Sequence, residues 1–130
     1  MLYGCESWAL TKGARNKLAA GQRRMERRMA GVRLIERRTN TWLRGVTKVQ
    51  DITKAATQRK WNFAWRMAHD NTEKWPKKLD NWRPPTTRPR GKPPQRWCDD
   101  FKQALKTRRW QTKAREESRQ DWCNIGCNTL

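Results

Sequence analysis

The chain has 130 residues, with 31 Lys and Arg against 12 Asp and Glu, which gives a formal net charge of +19 and a mean hydropathy of −1.22. It has no run of about 18 apolar residues, which excludes a membrane-spanning helix, and a chain of this length can bury only a small core. The nine tryptophans argue against a disordered basic chain, because disordered segments are poor in aromatic residues.

The N-terminal third of the chain predicts a short extended piece followed by a long helix. Residues 1–10 have strand character that Gly4 breaks. Residues 11–31 predict a helix, with Thr11 as its N-cap and Gly31 just after its C-terminus. The apolar stripe of this helix is narrow and consists of Leu18, Gln22, Met25, Met29 and Val32. Such a helix must pack against other elements to be stable.

The middle of the chain predicts a short helical turn at 40–45, capped by Asn40, and a second long helix at about 48–69. One side of the longer helix is apolar and carries Val49, Ile52, Ala56, Phe63 and Met67. Trp61 and Trp65 project from nearly the opposite side, so the helix is either enclosed in a bundle or presents one face to a ligand. The two tryptophans could stack on unpaired bases. We favour the core, because a chain with so few apolar residues needs every Trp.

Residues 71–96 differ in composition from the helices before them. Five of the six prolines lie between residues 84 and 94 and alternate with Arg and Lys, which predicts an extended basic linker of polyproline type. Pro93-Pro94 can open a third helix, since proline is tolerated in the first turn. In that helix the core-facing residues would be Trp97, Phe101 and Leu105.

A last helix is predicted at about 111–124, with Ala114, Ser118, Trp122 and Ile125 on one side. No alternating strand pattern of useful length is present. The predicted fold is therefore mostly α. It comprises a small helical bundle at 1–70, the linker at 71–96 and a C-terminal helical extension at 97–130.

The positive charge indicates an acidic polymer as the partner, because each neutralised phosphate releases condensed counterions. The leading candidates for phosphate contacts lie on the first long helix, opposite its apolar stripe: Lys17, Arg23, Arg24, Arg27 and Arg28. The second helix adds Lys60 and Arg66, and the linker adds Arg88, Arg90, Lys92 and Arg96. The alternative for each set is a solvated basic surface.

Two groups of residues suggest metal chemistry, and we favour a structural role for both. Adjacent aspartates such as Asp99-Asp100 can bind catalytic metals. In the first turns of a helix they instead favour the positive end of its dipole and can pair with Arg96 or Lys102. The second group comprises Cys5, His69, Cys98, Cys123 and Cys127, and its spacing lacks the two matched Cys pairs of a zinc site. We expect no catalytic residues, no metal and no cofactor.

The first residues lack the basic start and the long apolar segment of a secretory signal. We therefore expect reduced thiols and an intracellular location, with the nucleus included.

Three stretches together resemble the reverse transcriptases of non-LTR (LINE-like) retrotransposons, in the region that follows the polymerase palm. They are LYGCESW at 2–8, QRRMERRMAG at 22–31 and GKPPQRWCDDF at 91–101, the last of which resembles the family's GRPxxRWxDD signature. Their order and spacing also match, so the resemblance covers essentially the whole chain. The sequence departs from the family at Lys92, where Arg is usual, and at Trp65-Arg66, where Gly-His is frequent.

The resemblance implies that the chain corresponds to the helical thumb and C-terminal extension of such an enzyme. The catalytic aspartates of the palm and the endonuclease would lie upstream, and neither is found in these 130 residues. It also implies a truncated protein without polymerase activity that grips RNA or an RNA–DNA hybrid through backbone contacts. No membrane and no small-molecule substrate are expected. The alternative is a self-contained basic nucleic-acid-binding protein unrelated to retroelements.

Overall fold

The computed structural model describes residues 2–72, 74–82, 85, 90–91 and 93–128. Within these residues the chain forms seven α-helices and no strand, which confirms the predicted mostly α fold. The helices are α1 (Lys12–Met29), α2 (Asn40–Thr47), α3 (Ile52–His69), α4 (Trp75–Asn81), α5 (Asp99–Leu105), α6 (Trp110–Glu116) and α7 (Arg119–Asn128). Among the described residues, no helix combines the length and apolar character needed to cross a membrane.

Helix α1 begins and ends as its sequence predicts. The Thr11 hydroxyl accepts a hydrogen bond from the backbone N–H of Ala14 at 3.2 Å, which satisfies one of the free donors of the first turn. Gly31 follows the helix with a φ of 64°, a left-handed conformation that glycine adopts without steric cost.

The packed side of α1 differs from the predicted apolar stripe. Gln22 and Glu26 are buried, whereas Met25 and Met29 are exposed. The cause is Gln22, whose amide donates to the carbonyl of Gln50 at 2.8 Å and accepts from the N–H of Ile52 at 2.7 Å. These two hydrogen bonds satisfy backbone groups at the start of α3. They hold α1 in a rotation that directs Gln22 to the interior and leaves Met25 and Met29 in solvent. Neither carboxylate oxygen of Glu26 has a hydrogen-bond partner among the described residues.

The break between α2 and α3 lies at residues 48–51, later in the chain than the gap after residue 45 that the sequence pattern predicted. Thr39 caps α2, in place of the predicted Asn40, and its hydroxyl accepts from the N–H of Trp42 at 3.2 Å. Lys48 ends α2 with a φ of 52°. Helix α3 then starts after Asp51, whose carboxylate accepts from the N–H of Thr53 at 2.9 Å. Val49 therefore lies outside the long helix to which the prediction assigned it.

The first residues form a 3-10 turn at Cys5–Ser7 rather than a strand. Gly4 precedes the turn with a φ of 65°, and the thiol of Cys5 is fully buried where the turn packs on α3. The indole N–H of Trp97 donates to the carbonyl of Glu6 at 2.6 Å, which attaches this N-terminal turn to the segment before α5.

The second half of the chain differs from the prediction in two places: the predicted linker contains a helix, and the predicted last helix is interrupted. Helix α4 lies inside the predicted linker. Helix α5 begins at Asp99, five residues after Pro94, so the proline pair precedes the helix without opening it. The predicted last helix is two helices, α6 and α7, because the chain is extended at Glu117 and Ser118 caps α7 through Asp121.

Helix α3 is the centre of the molecule, since α1, α4, α6, α7 and the N-terminal turn all pack on it. Its Trp61 is 1% exposed and lies with ring centroids 4.7 Å from Trp122 and 5.0 Å from Phe101. The indole N–H of Trp122 donates to the carbonyl of Trp61 at 2.9 Å. The core position predicted for Trp61 is confirmed. Trp65 is half-buried, and its indole N–H donates to the carbonyl of Glu117 at 3.2 Å.

The close contact between α3 and α7 depends on Gly126. A Cβ atom at this position would lie 2.6 Å from two ring carbons of Trp61, a separation that packed atoms do not tolerate. We expect Gly126→Ala to lower the free energy of unfolding by about 1–3 kcal/mol through overpacking. The control is Gly21→Ala in α1, which meets open space and should stabilise the protein by about 0.5–1 kcal/mol. Denaturant unfolding of both variants measures the difference, and equal effects would contradict the close packing.

Asp51, the N-cap of α3, predicts how the stability of the protein depends on pH. Burial alone would raise the pKa of Asp51, but hydrogen bonds from Thr53 and Lys54 and the Arg44 guanidinium outweigh it and lower that pKa. The ionised carboxylate therefore stabilises the fold above its ordinary pKa, and this contribution is lost as the pH falls through the lower folded value. The stability difference between the wild type and Asp51→Asn should shrink between about pH 7 and about pH 2.5 in urea titrations. A constant difference would contradict this assignment.

Candidate nucleic-acid interface

Three of the predicted phosphate-binding residues form one exposed face on α1. Lys17, Arg24 and Arg28 follow each other at intervals of seven and four residues, which at about 100° per residue places them within about 40° of one another. This basic face (Lys17, Arg24 and Arg28) lies opposite the packed side that carries Gln22 and Glu26, and all three side chains are exposed. None of the ion pairs among the described residues involves these three cations. Their charge is therefore free to meet an anion.

Arg23 and Arg27 lie on the flank of α1 and not on its exposed face. Both are half-buried. The guanidinium of Arg27 donates to the Asn40 side chain at 3.2 Å and to the Arg38 carbonyl at 3.4 Å, so it connects α1 to the start of α2. The sequence placed all four arginines on one face, whereas the structure leaves Arg24 and Arg28 exposed and Arg23 and Arg27 half-buried.

Lys60 does not belong to the interface, contrary to the sequence-based expectation. It is 2% exposed, and its ammonium lies 2.6 Å from the Asp100 carboxylate and 5.5 and 5.3 Å from the ring centroids of Trp97 and Phe101. Burial lowers the pKa of Lys60, and the hydrogen bond from its ammonium to Asp100 opposes that effect. The side chain is enclosed by its partners, so it cannot reach a phosphate backbone.

The remaining predicted cations are separated from the basic face along the chain. Arg66 is exposed near the end of α3, and Arg90 and Arg96 are exposed in the segments before α5. Arg88 and Lys92 lie outside the described residues. The structure thus supports exposure for three of these five positions.

Sequence reasoning missed a group of arginines in the loop between α1 and α2. Arg33, Arg37 and Arg38 are exposed, and the loop lies against α1 because Arg27 donates to the carbonyl of Arg38. The Arg38 guanidinium lies 5.2 Å from the ring centroid of Trp42, a cation–π contact. Three arginines within six residues were the available signal, and it was overlooked because no helical period accompanied it.

Asp99 and Asp100 have separate structural roles, as favoured from the sequence, although their partners differ from those predicted. Asp99 accepts a hydrogen bond from the N–H of Arg96 at 2.7 Å. Asp100 uses both oxygens: one binds Lys60, and the other accepts from the Gln95 amide at 2.7 Å and lies 3.6 Å from Arg15. Neither aspartate pairs with the Lys102 side chain or the Arg96 guanidinium in the described ion pairs.

The cysteines and the histidine are dispersed. Cys5, Cys98 and Cys123 are buried, Cys127 is half-buried, and all four are free thiols. Burial raises the pKa of Cys5 and of Cys123, which disfavours their reactive thiolate forms. His69 is exposed at the end of α3 and stacks on Trp65. The described residues contain no cluster of His, Cys, Asp and Glu able to hold a metal ion.

Comparison with known proteins relates the chain to mobile elements. It is 26% identical over 138 aligned positions to an uncharacterised transposon-derived protein of Caenorhabditis elegans, a match that covers 96% of this chain and 49% of that protein. The chain therefore spans about half the length of the curated relative it matches, to which it is distantly related. No protein-family model matches the chain, and no solved structure matches it.

The buried ion pair between Lys60 and Asp100 predicts that Asp100 is needed for stability, as a structural residue would be. Asp100→Asn leaves the Lys60 charge buried without a counter-charge, which should cost about 3–5 kcal/mol. The double variant Lys60→Met/Asp100→Asn removes that charge and should recover part of the loss. Asp99→Asn, next in sequence, removes the carboxylate charge but keeps an oxygen that can accept from the N–H of Arg96, so it should cost at most about 1 kcal/mol. Equal losses in the Asp99 and Asp100 variants, measured by chemical denaturation, would show that the pair contributes little.

Proposed function

We propose that this chain binds nucleic acid through the basic face of α1, by contacts to the phosphate backbone. The observation that carries the proposal is the arrangement of Lys17, Arg24 and Arg28: three exposed cations on one helix, free of the described ion pairs and opposite the packed side. A straight row of cations suits the regular spacing of phosphates along a strand. Such contacts position the nucleic acid without selecting a sequence.

We further infer that the chain derives from the thumb and extension of a LINE-like reverse transcriptase. The relation to a transposon-derived protein supports this origin. The contacts between the resembling stretches support it too, since Trp97 of the third stretch binds the Glu6 carbonyl of the first. In such an enzyme the copied strand is RNA, so we propose RNA or an RNA–DNA hybrid as the ligand.

The chain itself is proposed to be a binding module without polymerase chemistry. The 130 residues contain no Tyr/Phe-Ala-Asp-Asp turn of the kind that binds metal in the palm. The Asp99-Asp100 pair does not replace it, because Asp100 is already paired with Lys60. The basic face, rather than a reacting group, is what the molecule presents to its partner.

The test is the salt dependence of binding to an RNA–DNA hybrid. Replacing Lys17, Arg24 and Arg28 with Gln should flatten the slope of log K against log salt by about 2–3 units, since each lost phosphate contact contributes about 0.7–0.9. Fluorescence anisotropy of a labelled hybrid measures the slope.

The matched control replaces Lys106, Arg108 and Arg109 with Gln. These residues lie in the exposed turn between α5 and α6, and the variant loses the same three charges. It should keep a slope close to that of the wild type. If both triple variants change the slope equally, net charge alone accounts for the affinity, and the basic face has no special role.

A further inference from the structure

A cleft of about 270 Å³ opens between the C-terminal half of α3 and the start of α4. Its walls are of two kinds. Phe63, Met67 and Pro76 supply apolar surface, while Arg66, Lys74 and Lys77 supply positive charge. The combination is unusual in this molecule, because most of the remaining apolar side chains near α3 are enclosed in the core.

The charges in the cleft leave an excess of positive sites. Among the described residues that line the cleft, one carboxylate, Asp70, accompanies three cations, so their charges sum to +3 − 1 = +2. Asp70 is engaged by Lys74 at 2.8 Å, and hydrogen bonds from Lys74 and Thr72 lower its pKa, so it stays ionised and paired near neutral pH. The Lys77 ammonium donates to the backbone carbonyl of Asp70 at 3.3 Å, and none of the ion pairs among the described residues includes it.

Arg66 completes the positive rim. It is exposed, and no ion pair in the described part of the chain includes it. An anion at the mouth of the cleft would therefore meet Arg66 and Lys77 without displacing a carboxylate from either cation among the described ion pairs. An apolar wall next to a positive rim matches a group that is flat and apolar at one end and anionic at the other.

The size of the cleft limits what it can accept. Its volume lies just below the lower bound of about 300 Å³ typical of pockets for drug-sized ligands. A single nucleobase is smaller than a drug-sized ligand, so the cleft has room for one base. A nucleotide has an apolar base and an anionic phosphate, which match the apolar wall and the positive rim of the cleft. Only an unpaired base can swing out of its stack to enter.

An exposed tryptophan lies beside the cleft. Trp75 stands between the lining residues Lys74 and Pro76, is 75% exposed, and has the Lys78 ammonium 5.7 Å from its ring centroid. Most of the other tryptophans contribute to packing, so an indole left in solvent is notable in a chain with so small a core. Exposed indoles flanked by cations are the platforms on which proteins stack the bases of single strands.

From these observations, and resting on the proposed function, we propose that the cleft between α3 and α4 binds one unpaired base of a single-stranded nucleic acid. The base lies against Phe63, Met67 and Pro76, and its phosphate contacts Arg66 and Lys77. The neighbouring base stacks on Trp75. This site is separate from the basic face of α1 and makes the protein prefer strands with accessible bases.

The test compares a short single strand that carries natural bases with a strand of equal length in which every position is abasic. The phosphates are the same, so the ratio of the two affinities isolates the base contacts. We expect the wild type to bind the base-bearing strand about tenfold more tightly. RNA and DNA versions of both strands show whether the sugar matters. We expect the same preference of about tenfold for the base-bearing strand in both versions.

The variants locate the base contacts. Pro76→Glu places a carboxylate on the apolar wall at an exposed position in the first turn of α4, and it should bring the affinity ratio close to one. Trp75→Ala should lower the ratio several-fold. Arg108→Gln/Arg109→Gln, at positions outside the cleft lining, should leave both affinities and their ratio close to those of the wild type. Thermal unfolding confirms that each variant is folded.

The outcomes separate this proposal from the one on which it rests. If the wild type binds both strands equally, or if Pro76→Glu and Trp75→Ala keep the wild-type ratio, the cleft does not bind a base, and the basic face of α1 is unaffected by that result. If the triple variant of Lys17, Arg24 and Arg28 weakens binding but keeps the ratio, both proposals are supported. If the wild type binds neither single strand, the cleft proposal is wrong, and binding to the RNA–DNA hybrid decides the role of the basic face separately.

Discussion

The packing of α3 against α6 and α7 is the interaction on which the rest of the molecule depends. A net charge of +19 opposes compaction, and the chain has few apolar residues with which to offset that repulsion. It concentrates them in one aromatic cluster, in which Trp61, Phe101, Trp110 and Trp122 have neighbouring ring centroids 4.7–6.5 Å apart. Aromatic side chains bury more area per residue than any others, so few of them suffice. The absence of a side chain at Gly126 allows α7 to approach Trp61 closely.

The polar contacts around this core determine which cations remain outside. Lys60 is used inside, where Asp100 and two aromatic rings enclose its charge and join α3 to α5. Arg27 is used at the junction of α1 and α2. Gln22 sets the rotation of α1 by binding the backbone at the start of α3, and this rotation turns Lys17, Arg24 and Arg28 outward. The basic face is therefore a consequence of one buried amide as much as of arginine content.

The stretches that carry the resemblance to reverse transcriptases are largely structural in this chain. In the third stretch, Gln95 donates to Asp100, and Asp100 also pairs with Lys60. Trp97 of the same stretch donates to the carbonyl of Glu6, and Phe101 packs in the aromatic core. Their task is to fasten the C-terminal helices to α3 and to the N-terminal turn. This chain spans about half of its transposon-derived relative, which is consistent with a module of this kind. Within it, we propose that the exposed cations of α1 bind nucleic acid and that the signature residues stabilise the fold.

Helix content, the cap of α1, the core role of Trp61 and the overall charge were determined by the sequence alone, because they depend on local hydrogen bonding, residue size and composition. The break at 117–118 and the short helix α4 were missed, and the break at 48–51 was placed a few residues too early. These features are decided by capping groups such as Asp51 and by packing between distant segments. Only the tertiary structure separated Lys60 from the exposed cations and divided the arginines of α1. A sequence lists charges but not their distances, and whether a cation meets a carboxylate 40 residues away or meets solvent is settled only when the helices pack.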